Sequence, residues 1–262
     1  MASETALEES ARVQLATIDS RRPLVWLAAG WRDLQRAPLP GLLHGLCVTA
    51  FGLVLLALAH RHFWLLAGAF SGFLLVGPLA ATGLYAISRA LEQGRPPSMA
   101  VVTAAWHPQD HRLVSFGLLL AAAGTCWVMT SASLITAFAP HTIRDPVDFL
   151  HTVVLDEQSW LFEGWLLLGG VLVAPVYASS VVAIPLMMER RIGLLAAVLT
   201  SWRTVMQNPG PMALWAGLLM AVTLIGMIPL LLGLIVAVPW LSYASWHAYR
   251  DLVVRADLPA ND

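Results

Sequence analysis

Histidine is the residue type in this chain that is best suited to hold a haem, because imidazoles on facing helices supply the ligands of such sites in membrane enzymes. Eight histidines are present. His44 lies inside an apolar segment, and His247 lies near the end of the last one, so the two form a candidate axial pair. A lone membrane histidine is more often a neutral imidazole bonded to a serine or a backbone carbonyl. We therefore expect no cofactor.

Four other histidines lie near a segment rich in Asp and Glu, and these are ligand types that a divalent metal accepts. The candidate metal ligands are His60, His62, His141 and His151. Their irregular spacing favours a solvated polar rim, so we expect no metal site. Paired carboxylates, a Ser-His-Asp order and a phosphate loop are not visible elsewhere in the sequence. We expect no catalytic residues and no enzymatic activity.

The composition predicts an integral membrane protein. Of the 262 residues, 58% are hydrophobic and 12% are charged, and the mean hydropathy is +0.71. An average soluble domain is roughly a quarter charged. The net charge of −1 argues against a nucleic-acid partner, which demands a clustered excess of positive charge. Cys47 and Cys126 lie in apolar segments and are expected to be buried and free of a disulfide.

The long apolar segments predict an all-α, polytopic membrane bundle of about six transmembrane helices, arranged as three hairpins. The final apolar segment is too long for one crossing and carries a Gly226–Gly233 stretch with Pro229 at its centre, where we expect a break. A re-entrant hairpin over residues 212–249 is the competing geometry. The predicted spans are Pro38–Ala59, Phe63–Ser88, Leu113–Phe138, Leu161–Met188, Met212–Ile228 and Leu231–Tyr249.

The distribution of arginine predicts the orientation of the chain, because positive charge is retained in the cytoplasm during insertion. Thirteen of the fifteen basic residues fall in the segments that the predicted spans place on one side of the membrane. Only Arg61 and Arg144 fall in the segments on the other side. Both termini are therefore expected in the cytoplasm. We expect residues 1–30 to form a mobile tail, residues 31–254 a single membrane domain and residues 255–262 a second tail.

The chain contains an internal repeat. The segment that runs from Trp31-Arg to Pro38-Leu-Pro40 matches the segment that runs from Trp202-Arg to Pro209-Gly-Pro211. Each copy begins with a short Trp-bearing segment, which is followed by a hairpin with proline in its second span, and the unit recurs about three times. If the match reflects a true repeat and not only a shared apolar composition, the helices should form a bundle with pseudo-threefold symmetry.

Three motifs resemble the DUF2189 family of uncharacterised bacterial integral membrane proteins. They are Gly30–Pro38, Gly68–Pro78 and the Trp-His-Ala-Tyr-Arg-Asp stretch at 246–251, and the resemblance extends over nearly all of 31–254. It implies no established activity, although some members carry the label of a putative cytochrome c oxidase subunit. The family often has a Gly-His pair before the last motif, where this chain has Ser242 and Tyr243.

Charged and aromatic residues gather at the predicted cytoplasmic ends of the helices, a depth that Trp and Arg prefer. They predict an anchor ring in the membrane interface or a docking surface for a partner or anionic lipid. The candidate interface residues are Trp31, Arg32, Arg190, Trp202, Arg203, Trp246 and Arg250.

The sequence favours a non-enzymatic scaffold, assembly or accessory factor, whose partners are the lipid bilayer and other inner-membrane proteins. Two rows of small residues, which begin at Gly117 and Gly170, are typical of close helix packing. A small-solute transporter or channel is the alternative, and a haem- or metal-binding respiratory-chain subunit is the third hypothesis.

Overall fold

The computed structural model describes residues 2–59, 81–105, 111–143, 146–156 and 159–260, and most of these residues are helical. A short turn of π-helix, Leu150–Val154, follows α7, and two strands, β1 (Val13–Leu15) and β2 (Val253–Ala256), lie near the ends of the chain. The helices are α1 Ala2–Ala11, α2 Arg22–Arg36, α3 Pro38–Ala59, α4 Thr82–Glu92, α5 Met99–Ala105, α6 His111–Phe138, α7 Pro146–Phe149, α8 Leu161–Ser180, α9 Ala183–Glu189, α10 Leu194–Gln207, α11 Pro209–Met227 and α12 Leu234–Leu252.

Within the described residues, four helical segments are long and apolar enough to cross a membrane: Pro38–Ala57, His111–Phe138, Leu161–Glu189 and Pro209–Met227. They correspond to four of the six predicted spans. The predicted span Phe63–Ser88 falls largely on residues 60–80, outside the described residues. The last predicted span does form a helix, α12, but its second half carries residues as polar as His247, Arg250 and Asp251. The all-helical, multi-pass character is confirmed, and the count of six spans stays a prediction.

The predicted break in the last apolar segment is confirmed. Helix α11 ends at Met227 and α12 begins at Leu234. The two helices meet closely, because a Cβ atom on Gly233 would lie 2.7 Å from the Cα atom of Gly226. Leu230 and Leu231 adopt the left-handed conformation, with φ of 49° and 67°, which turns the chain between the helices.

The described chain divides into two compact units. Of the described residues, the first comprises 2–50, 81–105, 111–116 and 177–260, and its centre is the packing of α2 on α12. Gly30 permits this approach, because a Cβ atom there would lie 2.5 Å from the backbone nitrogen of Ala244. The rings of Trp26 and Trp215 pack edge to face 5.4 Å apart, and both side chains are buried.

Of the described residues, 51–59, 117–143, 146–156 and 159–176 belong to the second unit. Trp165 is partly buried and packs against its core of Ile135, Ile143, Val153 and Leu161. Its Nε1 donates to the hydroxyl of Ser131 at 2.6 Å, and its ring packs on Trp127 and Phe149. Cys126 in this unit and Cys47 in the first are free, as predicted, but both are exposed rather than buried. Each is carried by a candidate span, α6 or α3, that leaves much of its surface uncovered.

The N-terminal segment differs from the mobile tail that the sequence predicts. Strand β1 pairs antiparallel with β2, with Val13 opposite Ala256, and α1 packs on α10. The side chain of Asn208 accepts from the backbone N–H of Ile18 at 2.9 Å and donates to the carbonyl of Ala16 at 3.0 Å. At the other terminus Ala260 forms a bridge with Arg190. The partners of the N-terminal segment lie 190 residues or more away in sequence, so local patterns do not reveal them.

The two matched Trp-Arg-Pro segments have the same local geometry. Helix α2 is separated from α3 by Ala37 alone, and α10 is separated from α11 by Asn208 alone. The φ and ψ angles are −131° and 59° at Ala37 and −128° and 52° at Asn208. Each of the two residues donates its backbone N–H to the carbonyl four residues earlier, on Asp33 or Thr204. In both places the following proline disfavours a continuous helix, because it excludes helical geometry at the preceding residue.

Candidate functional site

Three side chains from three helices form a buried polar junction in the first unit: Asp33 of α2, Ser88 of α4 and His247 of α12. Oδ2 of Asp33 accepts a hydrogen bond from the Ser88 hydroxyl at 2.8 Å and lies 2.8 Å from Nε2 of His247. Asp33 is 5% exposed and Ser88 is fully buried. A buried carboxylate is costly unless polar partners surround it, so these two contacts are required for the packing of α2.

The position of Asp33 follows from the periodicity of α2. Its buried residues are Pro23, Trp26, Gly30, Asp33 and Leu34, which lie along one helical face. Asp33 therefore points the same way as Trp26 and Gly30. The sequence shows this spacing, but an isolated carboxylate on an otherwise apolar face has no motif that marks it as part of a site.

Several charged groups near the junction are paired with one another. Asp251 accepts from the guanidinium of Arg22 and from the indole Nε1 of Trp26, the latter at 2.6 Å. Tyr249 donates its hydroxyl to Glu189 at 2.6 Å. Arg250 lies 3.4 Å from both Glu189 and Glu92. These contacts join α2, α4, α9 and α12, so the ends of four helices share one network of polar contacts.

The order of these three side chains differs from that of a catalytic relay. In a Ser-His-Asp relay the histidine lies between the serine and the carboxylate and takes the proton of the hydroxyl. Here Ser88 and His247 both contact the same oxygen of Asp33, so the carboxylate occupies the central position. The Ser88 hydroxyl donates to Asp33 and not to His247, so the order of the three groups differs from that of the relay.

The structure places the predicted cofactor pair in different settings. His44 is buried on α3, and His247 is held by Asp33 through Nε2. Among the predicted metal ligands, Nε2 of His141 lies 3.0 Å from the Thr152 hydroxyl, and His151 is exposed in the π turn. His60 and His62 lie outside the described residues. Within the described part of the chain, no group of three His, Cys, Asp or Glu side chains could hold a metal ion.

The predicted interface residues do not form one exposed surface. Trp31 and Trp202 are exposed, whereas Trp246 is fully buried, because α12 is packed between other elements of the first unit. The side chain of Trp246 is therefore not available on an exposed interface, which differs from the prediction. Arg32 is exposed and contacts only the carbonyl of Ala28 through Nε at 3.4 Å, among the contacts of the described residues.

The other predicted interface residues are arginines bonded within the chain. Arg203 donates to the carbonyl of Ser10 at 2.6 Å, and Arg190 donates to the carbonyl of Leu258 at 3.2 Å. Arg250 is paired with Glu92 and Glu189. These three side chains hold the terminal segments and helix ends of the first unit together.

The fold and the buried junction define a multi-pass helical membrane protein. A model of the DUF2189 family, described as a predicted integral membrane protein, matches residues 65–189 and confirms the resemblance to that family. The matched range is just under half of the chain, and the motifs at Gly30–Pro38 and at 246–251 lie outside it. Neither a curated protein nor a solved structure matches the sequence.

Proposed function

We propose that the protein is a non-enzymatic scaffold, assembly or accessory factor for other proteins of the bacterial inner membrane. The observation that carries this proposal is a contrast between the charged side chains of the first unit and the apolar faces of the candidate spans. Asp33, Glu189, Arg250 and Asp251 are bonded to other side chains of the chain. By contrast, at most a third of the residues in the most apolar part of each candidate span are buried within it. Spans of this kind offer broad apolar faces to lipid or to other membrane helices.

Small residues on the uncovered faces favour helix partners. A Cβ atom added to Gly170 or to Gly217 would meet no heavy atom within 4 Å. Ala174, one turn after Gly170, is exposed, and so is Ala121 on α6. Glycine and alanine at four-residue spacing allow two membrane helices to approach closely, which is how such helices associate when lipid gives no hydrophobic drive.

The proposed arrangement has six spans in three hairpins with both termini in the cytoplasm. Three observations support it: the arginine asymmetry, the break between α11 and α12, and the equal backbone angles at Ala37 and Asn208. The polar junction and the paired terminal segments then lie on the cytoplasmic side. They would hold the helices of the first unit at fixed separations there, as a scaffold requires.

Copurification with matched variants tests this proposal. The full-length protein is extracted in a mild detergent, and copurifying membrane proteins are identified by mass spectrometry. Gly170→Leu blocks the small-residue row on α8 and is expected to lose a specific partner at least tenfold. Met220→Leu, a change at an exposed large side chain of α11 outside this row, is the control and is expected to retain it. Equal recovery of every copurifying protein with both variants would contradict the use of this row.

The alternative, a small-solute transporter or channel, predicts a different result. Purified protein in proteoliposomes would then show saturable solute flux that bulky residues at Gly117 or Ala174 block. Such flux without a stoichiometric partner would replace the scaffold proposal. Haem absorbance that is lost on His44→Ala would instead support the respiratory-chain hypothesis.

A further inference from the structure

One face of helix α2 is exposed, although it carries large apolar side chains. Leu24 is 54% exposed, Val25 is 44% exposed and Trp31 is 41% exposed. Ala28 lies between them on the same face. The opposite face, which includes Trp26 and Asp33, is packed in the first unit, so the exposed residues are not the result of a loosely packed helix. We define the exposed face of α2 as Leu24, Val25, Ala28, Trp31, Arg32 and Arg36.

The charge on this face has one sign. Arg32 and Arg36 are exposed, and in the part of the chain that the structure describes neither forms an ion pair with a carboxylate. The one acidic residue of α2, Asp33, is buried on the opposite face. Arginine can extend its guanidinium toward phosphate while its stem covers apolar surface. The face therefore combines apolar area with unpaired positive charge, as interfacial helices do.

The position of α2 in the chain brings this face to the end of a span. Ala37 alone separates α2 from the candidate span that begins at Pro38. The same connection recurs where Asn208 joins α10 to the span that begins at Pro209, and α10 also exposes apolar side chains, Leu195, Trp202 and Met206. Two amphipathic helices thus precede membrane spans through the same backbone geometry. If α2 and α10 faced water, their apolar side chains would be exposed to it.

We propose that α2 lies in the membrane–water interface and that its exposed face binds anionic phospholipid headgroups. Leu24, Val25 and Trp31 enter the boundary between headgroups and acyl chains. Arg32 and Arg36 bind the lipid phosphates from the same face. This inference does not depend on the proposed scaffold function, because it concerns the bilayer and not a protein partner.

Lipid binding by charge variants is the first test. The purified full-length protein is titrated with phosphatidylglycerol or with phosphatidylcholine in detergent, and bound lipids are counted by native mass spectrometry. Each basic residue near an anionic surface contributes about 1 kcal/mol, so each arginine lost should weaken phosphatidylglycerol binding about fivefold. Arg32→Glu/Arg36→Glu should therefore lose the preference for phosphatidylglycerol.

Two matched variants serve as controls for this titration. Arg32→Lys/Arg36→Lys retains the charge and should retain the preference. Arg12→Glu/Arg95→Glu makes the same charge change at exposed positions off this face and should also retain it. An unchanged preference in the Arg32→Glu/Arg36→Glu variant would overturn the headgroup contact.

The second test measures the depth of α2 in the membrane. It distinguishes a face that is covered by lipid from one that is covered by protein. A spin label is attached at Ala28→Cys in a Cys47→Ala/Cys126→Ala background, and the protein is reconstituted in equal parts phosphatidylcholine and phosphatidylglycerol. The label should be accessible to oxygen and partly shielded from a water-soluble nickel reagent. A label at Ser98→Cys, in an exposed loop, should be fully accessible to nickel. If both positions are equally accessible to nickel, or if the Ala28 label is shielded from both reagents by protein, the proposal fails.

Discussion

Oδ2 of Asp33 lies 2.8 Å from Nε2 of His247, and this contact joins helix α2 near the start of the chain to helix α12 near its end. The same oxygen accepts from Ser88 of α4. One buried carboxylate therefore connects three helices that are distant in sequence. Because both contacts converge on a single atom, the stability of this region is expected to depend strongly on Asp33.

Asp33→Ala is expected to lower the free energy of unfolding by about 1–3 kcal/mol, because it leaves the buried Ser88 hydroxyl and the His247 imidazole without their acceptor. Asp33→Asn keeps an oxygen at the site and should cost less. Unfolding by denaturing detergent in mixed micelles measures the difference. Glu163→Gln, at an exposed carboxylate, is the control. The assignment would be contradicted if Asp33→Ala and Glu163→Gln had the same small effect.

The sequence predicts the helices of this chain better than the contacts between them. Long apolar segments identify the candidate spans, and Gly226 to Gly233 identifies the break, because both signals are local. The pairing of Val13 with Ala256 has no local signal, since each strand is only three or four residues long. The sequence finds Asp33 and His247 individually, but only the fold brings them into contact.

Trp246 illustrates how composition can mislead. A tryptophan next to arginine at the end of an apolar segment is typical of the membrane interface. In the structure its ring packs 5.4 Å from that of Tyr249 and is fully buried, whereas Trp31 remains exposed. The two tryptophans differ because α12 is covered by α2 and α4, whereas α2 has one uncovered face.

Gly30→Ala should destabilise the contact between α2 and α12. A methyl group at this position would lie 2.5 Å from the backbone nitrogen of Ala244, so the helices must separate. Overpacking of this kind costs about 1–3 kcal/mol, and thermal unfolding in detergent should show it. Gly217→Ala, which has open space around it, should be tolerated or slightly stabilising. Equal melting temperatures for the two variants would show that the helices are not closely packed at Gly30.

Leu230→Gly is expected to stabilise the turn between α11 and α12. Leu230 has a φ of 49°, a conformation that costs a non-glycine residue roughly 1 kcal/mol, and its side chain is exposed. Relief of this strain should raise the melting temperature. The increase should be small, because glycine also raises the conformational entropy of the unfolded chain. Leu232→Gly, also exposed but without a positive φ, should lower it. The opposite order of the two variants would argue against this turn geometry.

Reporter fusions test the proposed orientation. A fusion after Ile143 should give a periplasmic signal, and fusions after Gln93, Thr204 and Leu258 should give cytoplasmic signals. The expectation rests on thirteen arginines in one set of segments against two in the other. A periplasmic signal after Leu258 would exclude an even number of crossings with the N-terminus inside.

Asn208→Ala should release the N-terminal segment from the rest of the protein. The Asn208 side chain bonds the backbone of Ala16 and Ile18, and each hydrogen bond contributes about 1 kcal/mol. Loss of both should raise the open population roughly tenfold or more, and cleavage by trypsin after Arg12 and Arg21 should accelerate in proportion, because proteolysis follows the open population when closing is fast.

Gln207→Ala is the matched control for this cleavage. Gln207 contacts Thr17 at an exposed position through one hydrogen bond of 3.2 Å, so its loss should change the cleavage rate little. A mobile tail predicts a different pattern, in which the unaltered protein is already cut after Arg12 and Arg21 as fast as the Asn208→Ala variant. The ratio of the two rates therefore measures how firmly residues 12–21 are held against the membrane domain.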